Sequence, residues 1–202
     1  MVKIDLITGF LGSGKTTFLK KYAKRLMEQG QNIGILENDF GAVNVDMMLL
    51  QELEGEQCEL EMISGGCDPE THRRRFRTKL IAMGMCGYDR VLVEPSGIYD
   101  MDEFFDVLHE EPLDQWYEIG NVIAVVDARL EDTLSPEAEY LLASQAANAG
   151  CMILSKCDTA TEEQRQNTIA HLKRSLAALG CKQRADQKIL CEGAEPLPDQ
   201  EF

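Results

Sequence analysis

Nine residues near the N-terminus, Gly9-Phe10-Leu11-Gly12-Ser13-Gly14-Lys15-Thr16-Thr17, satisfy the pattern G-x-x-x-x-G-K-[ST] in full. The apolar run Val2, Ile4, Leu6, Ile7 before it reads as a buried strand. After it, Phe18, Leu19, Tyr22, Ala23, Leu26 and Met27 recur at the spacing of a helix face. Gly30 then stands as a C-terminal stop. Strand, glycine loop and helix is the context the motif requires. Glycines let successive backbone N–H groups turn inward around a phosphate chain, and the helix that follows adds its N-terminal dipole. Gly12, Ser13, Gly14, Lys15, Thr16 and Thr17 are therefore expected to line a nucleoside triphosphate site. Lys15 would reach the outer phosphates, and the Thr16 hydroxyl would hold Mg²⁺. The bland alternative is a glycine-rich turn with no ligand. A dinucleotide site fits poorly, because Lys15-Thr16-Thr17 follows Gly12-Ser13-Gly14 and the third glycine of G-x-G-x-x-G is missing.

A chain of 202 residues suits one α/β domain with a core large enough to need no staples. We expect residues 1–192 to form it, with the proline-bearing acidic stretch 193–202 as a tail or the start of a linker. The formal charge of −15 argues against nucleic acid or an anionic membrane surface as a partner, since both would repel it. Seven cysteines, scattered and odd in number, are most simply reduced thiols in a cytoplasm. No apolar run approaches the ~18 residues of a membrane span.

Along the chain, strands are expected at residues 32–36, 59–63, 90–94, 121–126 and 151–154, with a last short one over 188–191. Asp68-Pro69-Glu70 reads as N-cap, first-turn proline and first-turn acid of a helix. That helix carries Arg73, Arg74, Arg75 and Arg77, either as a solvated face or as a phosphate-sensing or docking cluster. Residues 102–108 suggest a short helix, Ser135-Pro136 the cap of one running to about residue 149, and Thr161 with Gln164 a capping box. Strands alternating with helices predict a P-loop NTPase fold, a doubly wound, mostly parallel sheet flanked by helices.

Three strand ends carry candidate chemistry. The first delivers Glu37 and Asp39, which either approach a metal or close a turn with Gly41. The second ends in Glu94, which either holds Mg²⁺ through its water shell or is a strand-end acid facing solvent, and Gly97 follows with a backbone N–H for a γ-phosphate. The third ends in Ser155-Lys156-Cys157-Asp158.

Taken together, these segments resemble the CobW-type GTPases, relatives of the urease and hydrogenase nickel-insertion GTPases. The glycine loop looks like that family's phosphate loop almost letter for letter. Glu37-Asn38-Asp39-Phe40-Gly41 is similar to its N-E-F-G switch, Glu94-Pro95-Ser96-Gly97 to its E-T-S-G, and Val125-Val126-Asp127-Ala128 to its V-V-D-A. Ser155-Lys156-Cys157-Asp158 stands where the family reads guanine with N-K-x-D. The resemblance implies GTP rather than ATP, with the Asp158 carboxylate accepting from guanine and the Lys156 stem packing on the base. Ser155 replaces the bracing asparagine. Lys15, Asp39 and Glu94 are the implied catalytic set, with Asp39 or Glu94 orienting water and Thr16, Glu94 and Asp39 around Mg²⁺.

The resemblance also implies Zn²⁺, Co²⁺ or Ni²⁺ bound by a C-x-C-C cluster, but Cys67-Asp68-Pro69-Glu70 keeps one thiol of that set. Cys67 with Glu37, Asp68, Glu70 or His72 would make a mixed site; otherwise Cys67 is a small buried residue. Ala42 stands where the switch often has a second glutamate. The family usually continues into a second, C-terminal domain. The expectation is slow Mg²⁺-dependent GTP hydrolysis that switches delivery of a metal or metallocofactor to a client metalloprotein, with a homodimer left open. The alternatives are a non-catalytic nucleotide-responsive binding module and, further off, a small-molecule kinase.

Overall fold

The computed structural model describes residues 1–39, 45–64, 68–95, 101–131, 133–180 and 189–191, with the side chains of residues 39, 45–47 and 64 set aside. Its strands are β1 (Val2–Thr8), β2 (Ile33–Asp39), β3 (Cys58–Ser64), β4 (Arg90–Pro95), β5 (Tyr117–Asp127), β6 (Cys151–Ser155) and β7 (Ile189–Cys191). They form one sheet in the order β3-β2-β4-β1-β5-β6-β7. Every neighbouring pair in it is parallel. From β1 the chain goes out to β2 and β3, returns to insert β4 between β2 and β1, then crosses over β1 and builds outward on the other side through β5, β6 and β7. The C-terminal end of β1 therefore lies at the reversal of strand order, where open α/β sheets hold their ligands.

The helices are α1 (Lys15–Glu28), α2 (Val45–Leu50), α3 (Pro69–Gly84), α4 (Met101–Leu108), α5 (Leu113–Trp116), α6 (Pro136–Asn148) and α7 (Glu162–Ala178), with a 3-10 turn at Gln51–Leu53. They cover both faces of the sheet because buried strands must be apolar on both sides. On one face Phe18, Leu19 and Ala23 of α1 pack on Ile7, Ile35, Leu92 and Val125. On the other, Phe76, Leu80 and Phe104 of α3 and α4 cover Leu6, Leu36 and Val93. Beside them Leu142, Leu172 and Leu176 of α6 and α7 cover Ala124, Val126 and Leu154.

The helix starts follow local chemistry. Asp68 accepts from the Thr71 N–H at 2.8 Å at the head of α3, with Pro69 in its first turn. Ser135 does the same for Ala138 at 3.2 Å, and Thr161 and Gln164 close a reciprocal capping box. β5 is longer than expected, beginning at Tyr117, because its first residues complete the ladder with Val2, Lys3 and Ile4 of β1. Gly120 lies in that added stretch, where a Cβ would overlap the Asp5 carboxylate. The expected tail 193–202 and the start of the last strand at Lys188 lie outside the described residues.

Candidate nucleotide site

β1 hands directly to the glycine loop. Gly9 leaves the strand at φ 144°, against the Val125 carbonyl, where any side chain would overlap that oxygen. Ser13 N–H donates back to Phe10 O at 3.1 Å, closing the loop. Gly14 caps α1 in the left-handed region, φ 92°, a conformation that favours glycine. Lys15 is 7% exposed. Its ammonium donates to the Phe10 carbonyl at 3.4 Å, the long limit of a hydrogen bond. A largely buried cation so weakly engaged by its own loop suits an anionic ligand.

One turn along, the Thr16 hydroxyl donates to Glu94 Oε1 at 2.8 Å. Glu94 is 3% exposed and Glu37 2% exposed. The two acids stand at the same register on β4 and β2, so both project to the α1 side of the sheet. A hydroxyl and two buried carboxylates beside a phosphate loop are hard oxygen donors, the set that fits Mg²⁺. Asp39 ends β2 opposite Ser64 of β3. Its side chain, with Gly41, Ala42 and Gly97, lies outside the described residues.

From the other side comes the loop after β6. The Ser155 hydroxyl is buried and donates to the Ser13 carbonyl of the glycine loop. Serine thus still braces the two loops where the resemblance places asparagine. Lys156 takes a left-handed conformation, φ 55°. Its ammonium donates to Gly12 O and to Asp127 Oδ2, each at 2.7 Å. Asp127 is also gripped by the Arg129 guanidinium at 3.1 Å through both carboxylate oxygens. Burial pushes the Asp127 carboxyl up, but the hydrogen bonds from Arg129 and Lys156 outweigh it and hold its pKa at about 2. The turn continues with Thr159 and Ala160 N–H donating to Lys156 O, and Asp158 is exposed on it. Asp127 carries the same sequence signal as Glu94, an acid at the end of an apolar strand.

The transition-metal candidates are described only in part. Cys67 lies outside the described residues. Asp68 is committed to capping α3, and its other oxygen accepts from the Thr71 hydroxyl at 2.9 Å. His72 is buried, with Nδ1 3.7 Å from Glu103. Glu70 is exposed. Among the described residues, no three His, Cys, Asp or Glu are grouped to hold a metal ion.

The family model for the CobW/HypB/UreG nucleotide-binding domain matches residues 3–182. The chain belongs to that family. Among curated relatives, the zinc chaperone YjiA of Escherichia coli (strain K12) is 29% identical over 172 residues, covering 81% of this chain and 52% of YjiA. This CobW/HypB/UreG chain spans about half the length of the curated relatives it matches. Among solved structures, hydrogenase maturation factor HypB from Archaeoglobus fulgidus superposes with a TM-score of 0.56 at 18% identity, covering 95% of this chain and 80% of HypB. The Zn(II)-bound YjiA GTPase superposes with a TM-score of 0.50 at 23% identity, covering 83% and 53%. At such identities the superpositions speak for the fold. No described helix is long and apolar enough to cross a membrane.

Proposed function

We propose that this domain binds GTP with Mg²⁺, hydrolyses it slowly, and uses the change of nucleotide to control delivery of a metal or metallocofactor to a client protein. The observation that carries the reading is the Lys156 ammonium on the Gly12 carbonyl, 2.7 Å away, which sets a guanine-type loop directly against the phosphate loop. Lys15 and the loop amides would stabilise charge gathering on the transferring phosphoryl group. Mg²⁺, when bound, neutralises charge on the phosphate oxygens. Thr16, Glu94 and Glu37 supply the donors that suit it. Engagement of Glu94 by Thr16 favours a metal-side role for that acid and leaves Asp39 as the candidate to orient water. Asp158 would accept from the guanine edge, and the Lys156 stem would cover the base. Metal delivery is supported by the relatives' names: YjiA is a zinc chaperone, and a relative in Schizosaccharomyces pombe is a zinc-regulated GTPase metalloprotein activator.

The test is phosphate release under saturating GTP or ATP, each with Mg²⁺. Turnover with GTP alone supports the switch. Equal turnover removes the guanine reading, and turnover with neither removes the hydrolase. Zinc affinity in the GTP and GDP states, read by competition with a chromophoric chelator, tests delivery; equal affinity in both states would remove the nucleotide control of metal.

A further inference from the structure

Asp127 and Ser155 are register partners at the ends of β5 and β6. The pairing carries on one step past the strands. Ala128 N–H donates to Ser155 O at 3.0 Å, and the Thr168 hydroxyl of α7 donates to Ala128 O at 3.0 Å. Arg129, the next residue, therefore stands abreast of the loop after β6, on backbone held from two sides. Its own N–H donates to Asp127 Oδ1 at 2.9 Å, and Leu130 N–H donates to Asp127 O at 3.1 Å, closing a tight turn.

The Arg129 side chain folds back over this turn. Nε and Nη2 donate to different Asp127 oxygens, each at 3.1 Å, the two-pronged grip that suits a planar guanidinium. Nη1 has no partner among the described residues. With 39% of the side chain exposed, the guanidinium keeps an edge open to solvent. Asp158 is the other acid within its field. The hydrogen bonds and charge of Asp127, and then the charge of Asp158, raise the Arg129 pKa above its ordinary value. Signs thus alternate through the base loop: Lys156 on Asp127, Asp127 on Arg129, Arg129 facing Asp158.

Two carboxylates at neighbouring strand ends would repel, and a guanidinium between them lets both stay ionised. Asp158 is exposed on its turn, where several staggered side-chain conformations are open to it. Reading a base edge needs one of them. We propose that Arg129 is a positioning residue for base recognition: held by Asp127, it draws the Asp158 carboxylate into the orientation that accepts from guanine. The inference rests on the guanine reading proposed above and names what gives that reading its selectivity. Asp127 then serves two sides, setting Lys156 against the phosphate loop and Arg129 against the base-reading acid.

Inosine triphosphate keeps the phosphates, ribose and N1–H of GTP and lacks the 2-amino group. The ratio of its Kd to that of GTP therefore reads the Asp158 contact and cancels losses common to every nucleotide. Displacement of a fluorescent guanine nucleotide measures both constants. Wild type should prefer GTP by about tenfold or more. Arg129→Gln should shrink that preference by about threefold or more. Arg129→Lys keeps the charge without the fork, so it should shrink the preference too, and it carries the comparison alone if Arg129→Gln folds poorly. In an Asp158→Asn background, Arg129→Gln should shift the ratio no further, because its effect passes through Asp158. A preference that Arg129→Gln leaves intact, whether or not overall affinity falls, makes Arg129 a brace for Asp127 and overturns the proposal. An equal shift with Asp158 replaced does the same. Equal wild-type affinity for GTP, inosine triphosphate and ATP overturns the guanine reading itself, and the role of Arg129 falls with it.

Discussion

Lys156 reaches across from the loop after β6 and donates a hydrogen bond to the Gly12 carbonyl of the phosphate loop at 2.7 Å. One ammonium thereby ties together the two loops a nucleotide would touch, with Asp127 holding it from behind. Lys156→Met keeps the aliphatic stem and removes the charge. A charge-assisted hydrogen bond is worth roughly 1.5–3 kcal/mol, and about 1.4 kcal/mol is tenfold in affinity. With part of that lost to folding, GTP and GDP affinity should fall about tenfold. Displacement of a fluorescent guanine nucleotide measures it. Unchanged affinity would mean the bridge does not organise the site.

Thr16 and Glu94 make the second test. Thr16→Val keeps the shape of the side chain and removes its hydroxyl, so the Glu94 carboxylate loses the donor 2.8 Å away. If the pair sets Mg²⁺, phosphate release should drop by roughly a hundredfold, the scale of one lost polar contact to a transition state. The Mg²⁺ concentration for half-maximal rate should rise with it. A slower rate at an unaltered Mg²⁺ requirement would place Thr16 outside the metal's surroundings.

Much of this architecture is legible in the sequence because its signals are local. Asp68-Pro69, Ser135-Pro136 and Thr161 with Gln164 start helices by contacts within four residues, and each does so in the structure. The buried strands are rich in apolar residues, and the glycine loop fixes where the first of them ends. What the sequence hid is non-local. The first residues of β5, Tyr117-Glu118-Ile119-Gly120, carry a charge and a glycine among two large side chains and become a strand by pairing with β1. Asp127 gains its role from Lys156, brought up on the neighbouring strand. α2 and α5, six and four residues long, are too short to show a helical period. Cys67 and Gly97 lie outside the described residues.

Asp5 shows the same non-local logic in the core. It is fully buried in β1 and accepts from Arg90 at 2.7 Å, from the Tyr22 hydroxyl at 2.7 Å and from Asn121 N–H at 2.7 Å. Burial, with the Asp5 charge behind it, pushes the Tyr22 phenol up and keeps it a donor. β1, β4, β5 and α1 meet at this carboxylate. Asp5→Ala leaves the Arg90 guanidinium, with 12% of its side chain exposed, without its counter-ion. Breaking a buried pair from one side costs about 3–5 kcal/mol. The urea midpoint should fall accordingly, with the slope of the transition unchanged. A loss below about 1 kcal/mol, the worth of an exposed pair, would show that water reaches this network freely.

The acid limb of stability isolates Asp127. Its carboxyl titrates at about 2 in the folded chain, held down by Arg129 and Lys156 against the opposing effect of burial. In an unfolded chain an aspartate titrates near ~3.9. A folded value below the unfolded one stabilises the fold fully above the unfolded pKa and loses that contribution as pH falls through the folded one. The contribution of Asp127 should therefore be whole at neutral pH, begin to fade below about pH 4, and be spent near pH 2. Asp127→Asn removes it at every pH. The stability difference between wild type and Asp127→Asn, followed by urea unfolding from pH 6 downward, should be constant at first and then close over that window. A difference that stays constant to pH 2 would show that Lys156 and Arg129 do not hold the Asp127 charge, and the bridge from Asp127 through Lys156 to Gly12 would lose its anchor.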